Sequence, residues 1–151
     1  MKNQEYAGFW IRVGASLIDS ILLVIITAIP TTLIYGMGYW DASEIIYGSW
    51  DILINYIMPI VLVVWFWIRF YATPGKMLLN LKVLDAKTGE GLTTLQAIGR
   101  YFSYIISAIP LGLGFIWVAF DNKKQGWHDK LAGTVVIRNH VKTEVEFEKT
   151  E

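Results

Sequence analysis

Residues 10–40 read WIRVGASLIDSILLVIITAIPTTLIYGMGYW, and Arg12 and Asp19 are the only charged residues in this stretch. A helix rises ~1.5 Å per residue, so about 20 apolar residues cross the ~30 Å hydrocarbon core of a bilayer. The pattern therefore predicts a transmembrane helix that carries a carboxyl group. Such a group needs a polar partner or a protein-lined cavity, because placing it in lipid costs ~2.5–3.5 kcal/mol.

The overall composition indicates a membrane protein and argues against several kinds of site. Of the 151 residues, 54% are hydrophobic and 17% are charged, below the ~25% of soluble domains. Cysteine is absent, so disulfides, thiolate nucleophiles and Cys-ligated metals are excluded. With two histidines and few basic residues, we expect no metal site, no cofactor, no nucleic-acid partner and no catalytic residue.

Two further apolar segments follow the first. Residues 52–72 are interrupted only by Asn55 and Arg69, and they predict a second transmembrane helix. Residues 94–120 contain the sequence PLGLG, where proline removes a helical hydrogen bond and glycine favours a turn. This third segment is predicted to form two helices, 94–109 and 113–121, that return as a buried hairpin or re-entrant pair. The alternative is one kinked span, which leaves the carboxyl terminus outside.

The distribution of charge in the loops predicts the orientation. The loop at 36–51 holds three acidic residues and no Lys or Arg, so the positive-inside rule makes it external. The stretch at 69–100 holds five basic residues, so we expect it to be cytoplasmic. The amino terminus is then cytoplasmic as well. Four basic residues between 123 and 138 favour a cytoplasmic carboxyl terminus.

A minor β element is predicted beside the helices. Residues 79–85 alternate imperfectly between apolar and polar side chains, and residues 134–138 are rich in β-branched residues. Since neither strand is stable alone, we expect a two-stranded cytoplasmic sheet, reached through a turn at 73–76. The predicted fold class is an all-α integral membrane protein with this small β element. One domain covers 1–138, and the polar tail 139–151 is expected to be disordered.

Arg12 and Asp19 lie on one face of the predicted first helix, since seven residues make about two turns. As a helix clamp, Asp19 would bond to a polar side chain of a neighbouring helix, and Asn55 and Arg100 are candidates. As a transport site, Asp19 would bind a proton or a cation while Arg12 tunes its electric field. The spacing is compatible with both roles.

A second polar cluster follows the third apolar segment. It contains Asp121, the adjacent pair His128-Asp129 and several lysines. Adjacent residues do not face one another on a helix, and no Ser or Cys nucleophile signature accompanies them. Capping, turn formation and headgroup contact are therefore preferred over catalysis. Lipid phosphates are the expected partners of four basic residues: Arg69, Lys76, Lys123 and Lys124.

Four short motifs stand in a specific order along the chain. They are Ala7-Gly8-Phe9-Trp10 with Arg12 and Asp19, Thr73-Pro74-Gly75-Lys76 with Leu81-x-Val83, Phe120-Asp121, and Gln125-Gly126-x-His128-Asp129-x-Leu131-Ala132-Gly133-Thr134. Over residues 6–138 they resemble the RDD family of small bacterial and archaeal membrane proteins, named for one Arg and two Asp residues. Arg12 and Asp19 match the family Arg and first Asp, while Asp121 and Asp129 both fit the second.

The resemblance implies a protein of the prokaryotic plasma membrane, and transport has been proposed for some family members. For this chain it implies exchange of Na⁺, Li⁺ or K⁺ for protons, with Asp19 as the titrating ligand and Arg12 as its counter-charge. Three or four short helices are too few to enclose a transport pathway with a gate at each end. Transport would therefore need a homo-oligomer or a membrane partner protein. The alternative is a non-catalytic scaffold or regulator, in which the Arg and Asp residues fix helix packing and the sheet binds another protein. An enzyme acting on lipids through His128 and Asp129 is a more distant interpretation.

Overall fold

Two long helical stretches dominate the computed structural model, which describes residues 3–140. The first is helix α1 (Phe9–Tyr35). The second begins with α2 (Ser49–Asp51), continues through a π-helical turn at Ile52–Ile57 and ends with α3 (Met58–Phe70). Both stretches are long and apolar enough to cross a membrane, in agreement with the two predicted transmembrane helices.

The outer surface of these helices is apolar. Leu17 (61% exposed), Val24 (62%) and Leu33 (81%) of α1 point away from the rest of the chain, as does Val61 of α3 (59%). A protein folded in water buries most such side chains, whereas the acyl chains of a bilayer solvate them. The composition and the fold together indicate a membrane protein.

The third apolar segment is broken, as we predicted from its Pro and Gly residues. Helix α5 (Thr94–Ala108) is followed by α6 (Leu113–Ile116) and a 3-10 turn at Trp117–Ala119. The axes of the two parts are bent by 112°. Two consecutive residues in left-handed conformation, Leu111 (φ 53°) and Gly112 (φ 76°), produce the change of direction.

A three-stranded antiparallel sheet lies at the end of the molecule where α1 begins and α3 ends. Its spatial order is β1 (Asn3–Tyr6), β3 (Thr134–His140), β2 (Leu81–Asp85), with Val83 opposite Val136. The predicted pairing of the two later strands is confirmed. The prediction of only two strands was wrong, because β1 adds a third. The polar sequence NQEY of β1 lacks the apolar alternation by which strands are recognised.

Both ends of the broken third segment meet this sheet. Near its start, the Gln96 side-chain amide donates a hydrogen bond to the carboxylate of Asp85, at the end of β2. After its end, Gln125 Nε2 donates to the main-chain oxygen of Thr134 (2.7 Å), at the start of β3. The chain therefore enters and leaves the segment at the same end of the molecule, as the predicted hairpin requires.

Two short helices lead from the apolar segments into the sheet. Helix α4 (Pro74–Leu78) replaces the simple turn predicted at 73–76. It forms because Thr73 is extended and Pro74 fits the first helical position, where its missing N–H costs nothing. Helix α7 (Trp127–Ala132) lies between the broken segment and β3.

The described core lies where the sheet meets the helices. Its buried hydrophobic members are Ala7, Ala15, Trp67, Leu81, Val83, Leu92, Ala97 and Val136. Six of them come from α1, α3, α5 and two strands, while Ala7 and Leu92 lie in the segments that lead into α1 and α5, so the core joins these helices to the sheet.

The boundary of the predicted tail also shifts. Residues 139 and 140 belong to β3, where Asn139 lies opposite Gln4. The remainder of the tail that was predicted to be disordered, 141–151, lies outside the described residues.

Candidate functional site

Asp129 lies at the centre of a buried group of charges. Its side chain is fully buried, and its Oδ2 atom accepts hydrogen bonds from Arg12 Nη1 (2.6 Å) and from the backbone N–H of Gly126 (2.9 Å). Its Oδ1 atom accepts a hydrogen bond from Arg100 Nη1. We call Arg12, Arg100 and Asp129 the Arg–Asp cluster.

The two arginines of the cluster come from different helices. Near the start of α1, Arg12 Nε donates to the main-chain oxygen of Ala7 (2.9 Å), and Arg12 Nη2 donates to that of Lys124. Arg100 lies on the inner face of α5, with its guanidinium 5.3 Å from the ring centre of Trp67. The cluster therefore joins α1, α5 and α7, three elements that are distant in sequence.

Two positive charges act on a single carboxylate in this cluster. Burial alone would raise the pKa of Asp129, but the charges of Arg100 and Arg12 hold that pKa well below its usual range. Asp129 is therefore ionised at neutral pH, and two arginines against one aspartate leave one net positive charge. The ring of Trp67 offsets part of that charge, since aromatic faces attract cations.

His128 lies between Asp129 and a serine that the sequence reasoning missed. Ser107 Oγ lies 3.2 Å from His128 Nδ1, and His128 Nε2 lies 3.5 Å from Asp129 Oδ2. Ser107 Oγ also accepts a hydrogen bond from the backbone N–H of His128 (3.0 Å), and all three side chains are buried. These contacts fix α7 against α5. The helical spacing of Arg100, Ser103 and Ser107 is the signal that could have revealed this polar face.

The buried histidine gives the fold a predictable dependence on pH. Burial, assisted by the positive charge of Arg100, lowers the pKa of His128 to about 3 from its ordinary 6.5. Between these values the unfolded chain binds a proton that the folded chain excludes. The free energy of unfolding therefore falls as the pH falls, by on the order of 1 kcal/mol per pH unit.

Unfolding titrations between about pH 6 and pH 4 should show this slope in the wild type and a smaller slope in His128→Gln. Asp129, whose pKa is lowered in the folded chain, adds a slope of the same sign toward pH 4, but it does so in both proteins, so the difference between the two slopes reports His128. An equal slope in both proteins would contradict the assignment to His128.

Asp19 lies in α1 but contacts α4 rather than another long helix. Its Oδ2 atom accepts a hydrogen bond from Thr73 Oγ1 (2.5 Å), and its Oδ1 atom accepts one from the N–H of Gly75 (2.7 Å). Lys76 Nζ lies 3.9 Å from Oδ2. The helices approach so closely that a Cβ on Gly75 would lie 2.2 Å from the main-chain oxygen of Ala15. The Asp19 carboxylate therefore holds the start of α4 against α1.

The structure gives Asp19 partners other than the predicted ones. Arg100 belongs to the Arg–Asp cluster, and Arg12 pairs with Asp129 across the fold rather than with Asp19 on its own helix. Asn55 binds a different aspartate, described below. Helical periodicity shows which residues share a face, but it does not show which neighbouring element that face meets.

A small cavity lies beside Asp19, between α1 and α3. Its volume is about 40 Å³, and apolar side chains such as Leu22, Leu62 and Phe66 form most of its wall. This space is large enough for a water molecule. Asp19 therefore borders both the start of α4 and a cavity of the size of a water molecule.

Asp51 forms a third buried polar group, which the sequence reasoning treated only as a loop charge. Its fully buried carboxylate accepts hydrogen bonds from Tyr39 Oη (2.7 Å), Asn55 Nδ2 (2.7 Å) and the N–H of Tyr47 (2.8 Å). Asn55 Nδ2 also lies 3.1 Å from Thr31 Oγ1 on α1. The bond to Asp51 raises the pKa of Tyr39 to about 12. Within the described residues, Asp51 has no Lys, Arg or His as an ion-pair partner.

The two candidates for the second family Asp have different surroundings. Asp129 is buried in the Arg–Asp cluster with Arg12. Asp121 lies nearer the surface, where a hydrogen bond from Lys130 (2.5 Å) lowers the pKa of Asp121. Of these two candidates, Asp129 is the one that contacts Arg12, the residue that matches the family Arg.

The four predicted headgroup residues do not share one environment. Arg69 and Lys123 are exposed, as headgroup contacts would be. Lys124 is half-buried and its Nζ donates to a main-chain oxygen 3.1 Å away. Lys76 is buried beside Asp19, so the prediction of a lipid phosphate as its partner does not fit the structure.

The chain is similar to several bacterial proteins. It is 35% identical over 150 residues to the uncharacterized protein YxaI of Bacillus subtilis (strain 168). The aligned region covers 89% of this chain and 98% of that protein. It is 31% identical over 149 residues to the uncharacterized membrane protein YteJ of the same bacterium, covering 89% of this chain and 82% of that protein. No solved structure matches it.

A shorter similarity extends to a second bacterium. The uncharacterized protein RP437 of Rickettsia prowazekii (strain Madrid E) is 43% identical over 74 residues, covering 49% of this chain and 40% of that protein. The model of the RDD family matches residues 6–133, a region that includes both long helices and the Arg–Asp cluster. The chain therefore belongs to the RDD family.

Proposed function

We propose that the chain is a non-catalytic scaffold of a prokaryotic plasma membrane, in which the Arg and Asp residues fix the packing and the sheet binds a partner protein. The observation that supports this proposal is that Asp19 and Asp129 both find their partners within the chain. Asp129 contacts two guanidinium groups, and Asp19 accepts two hydrogen bonds with the Lys76 ammonium nearby. These positive charges would repel a cation that approached either carboxylate.

The same contacts anchor the sheet to the first long helix. Asp19 of α1 holds α4, which leads through a short turn into β2. Arg12 of α1 holds α7 through Asp129, and α7 leads into β3. Each contact therefore fixes one strand relative to α1. A surface that is already ordered binds a partner at a lower entropic cost, which is what a scaffold needs.

The proposed orientation has the sheet and both termini in the cytoplasm and the loop at 36–51 outside. The distribution of basic residues in the loops supports it. The sheet supports it too, because the strand before α1 lies beside the strands that follow α4 and α7. Strands of one sheet lie on the same side of the membrane. In the proposed orientation, the chain therefore crosses the membrane an even number of times between one strand and the next.

Exchange of monovalent cations for protons is the second candidate function, and the environment of Asp51 favours it. Asp51 is fully buried, yet its donors are the neutral groups of Tyr39, Asn55 and a backbone N–H. These neutral donors leave the Asp51 carboxylate with its negative charge, and among the described residues no positively charged side chain pairs with it to repel an approaching cation. In this candidate function, a homo-oligomer or a complex with a membrane partner exchanges Na⁺, Li⁺ or K⁺ for protons.

Flux measurements on the purified protein distinguish the two candidates. In liposomes loaded with a pH-sensitive dye, the scaffold is expected to give no response to Na⁺, Li⁺ or K⁺. Asp19→Asn should lower the free energy of unfolding by ~1–3 kcal/mol, because Thr73 and Gly75 lose a charged acceptor. A cation response that Asp19→Asn abolishes without changing the free energy of unfolding would contradict the scaffold.

Two further comparisons complete this test. A cation response that Asp51→Asn abolishes would support exchange, and Asp41→Asn is the matched control because Asp41 is an exposed aspartate of the same loop region. For the scaffold, a photoreactive phenylalanine analogue in place of Tyr6, which is 44% exposed on β1, should capture a discrete protein in intact cells. The same analogue in place of Leu33, on the apolar face of α1, should not.

A further inference from the structure

A surface groove of about 600 Å³ lies between the sheet and the end of α3, and none of its lining residues belongs to the Arg–Asp cluster. Ile68, Leu92 and Ile137 contribute an apolar floor, while Lys82 and Glu90 contribute one charge of each sign. Ligand sites in proteins have volumes of roughly 300–1,000 Å³, so the groove has a suitable size.

Among the residues that the structure describes, the two charged residues of the groove are unpaired. Lys82 and Glu90 are both exposed, and within residues 3–140 neither side chain makes a hydrogen bond or an ion pair. Single exposed charges are ordinary on a protein surface, but these two line the same groove with opposite signs. A ligand that carries separated negative and positive charges matches this lining.

Hydrogen bonds within the chain fix the wall that carries Glu90. The Asp85 carboxylate accepts hydrogen bonds from the backbone N–H groups of Thr88 and Lys87, both 2.8 Å, and from the Gln96 side chain. These bonds lower the pKa of Asp85 to about 2. The N–H of Asp85 donates in turn to the main-chain oxygen of Glu90 (2.8 Å), which closes the loop. Binding therefore does not require the loop to become ordered.

The opposite wall is the end of the second long helical stretch. Tyr71, with a left-handed φ of 60°, terminates α3 and leaves 38% of its surface exposed. A Cβ on Gly91 would lie 2.0 Å from the Tyr71 ring, so the loop packs directly on that ring. Trp65, Phe70 and Arg69 lie in the last turns of the same helix. Aromatic and basic residues concentrate at the depth of the lipid headgroups, and this indicates the depth of the groove.

We infer that this groove binds the phosphoethanolamine headgroup of a zwitterionic phospholipid. Lys82 holds the phosphate, Glu90 holds the ammonium, and the ring of Tyr71 presents a face that attracts the same cation. The acyl chains continue past Ile68 along α3 into the bilayer. The inference depends on the proposed membrane orientation, but it is independent of whether the protein is a scaffold or an exchanger.

Calorimetric titration of the full-length protein in detergent tests this inference with three probes. They are dihexanoyl phosphatidylethanolamine, dihexanoyl phosphatidylglycerol and free phosphorylethanolamine. The ethanolamine lipid should bind about tenfold more tightly than the glycerol lipid, because only the former gains the charged contact to Glu90. Glu90→Gln should remove this preference, and Lys82→Gln should weaken both lipids by a similar factor. Lys87→Gln, on the same loop but outside the groove, should change neither affinity.

Three outcomes would overturn the assignment. Equal affinity of the wild type for the two lipids would show that Glu90 does not bind the ammonium group. Equally tight binding of free phosphorylethanolamine would indicate a soluble ligand instead of a lipid. Self-association of the protein that Lys82→Gln and Glu90→Gln both weaken would identify a second copy of the chain as the occupant.

Discussion

Asp129→Asn is expected to lower the free energy of unfolding by ~3–5 kcal/mol, because removing one member of a buried ion pair leaves the other charge uncompensated. The amide keeps the shape of the side chain, so the packing of α7 changes little. Two guanidinium groups, those of Arg12 and Arg100, then remain buried without an anion. Unfolding titrations in mixed detergent micelles, followed by tryptophan fluorescence, measure the loss.

Asp121→Asn is the matched control for this prediction. It makes the same chemical change at an aspartate whose partner, Lys130, has a side chain that is 44% exposed. Solvent screens such a pair, so the expected loss is ~1 kcal/mol or less. Similar losses from the two substitutions would show that the Arg–Asp cluster has no special part in stability.

Gly75→Ala is expected to destabilise the protein by about 3 kcal/mol, at the upper end of the usual cost of overpacking. The new Cβ would lie 2.2 Å from the main-chain oxygen of Ala15 and 2.9 Å from Asp19 Cγ. Both neighbours are held in α1, so α4 has to move. The hydrogen bond between the N–H of Gly75 and Asp19 is then lost. Faster hydrogen exchange of the amides at 75–79, together with the lower free energy of unfolding, would report this displacement.

Gly99→Ala provides the control, because it adds the same methyl group where no heavy atom lies within 4 Å. Gly99 is exposed in the middle of α5 and has no left-handed φ. Alanine in a helix interior is more stable than glycine by roughly 0.5–1 kcal/mol, so this variant should be slightly stabilised. If Gly75→Ala behaved in the same way, the close contact between α1 and α4 would be wrong.

The long helices and the break in the third segment were predictable because their causes are local. A run of apolar residues from Ser20 onward requires a nonpolar solvent whatever the rest of the chain does. Proline and glycine at 110–114 change the backbone wherever they stand in a helix. The pairing of β2 with β3 was predictable too, since each strand alone is unstable and both lie outside the long apolar segments that were assigned to helices.

The partners in the polar site were not predictable, because they depend on contacts between distant parts of the chain. Arg12 and Asp129 are 117 positions apart, and no periodicity within one helix relates them. From the sequence, Asp51 was interpreted only as one of the negative charges of a predicted external loop. The packed rings of Tyr35, Tyr39 and Tyr47, with centroids 5.4 to 5.7 Å apart, fold this loop over the helix end and bury the carboxylate.

The sheet order also determines when the protein can finish folding. β3 is the central strand, yet it is the last described element to leave the ribosome. Until it emerges, the strand at the amino terminus and the strand at 81–85 have no neighbour to pair with. Insertion of the apolar segments therefore precedes closure of the sheet, and a chain whose translation stalls before residue 134 exposes two unpaired strand edges to the quality-control machinery.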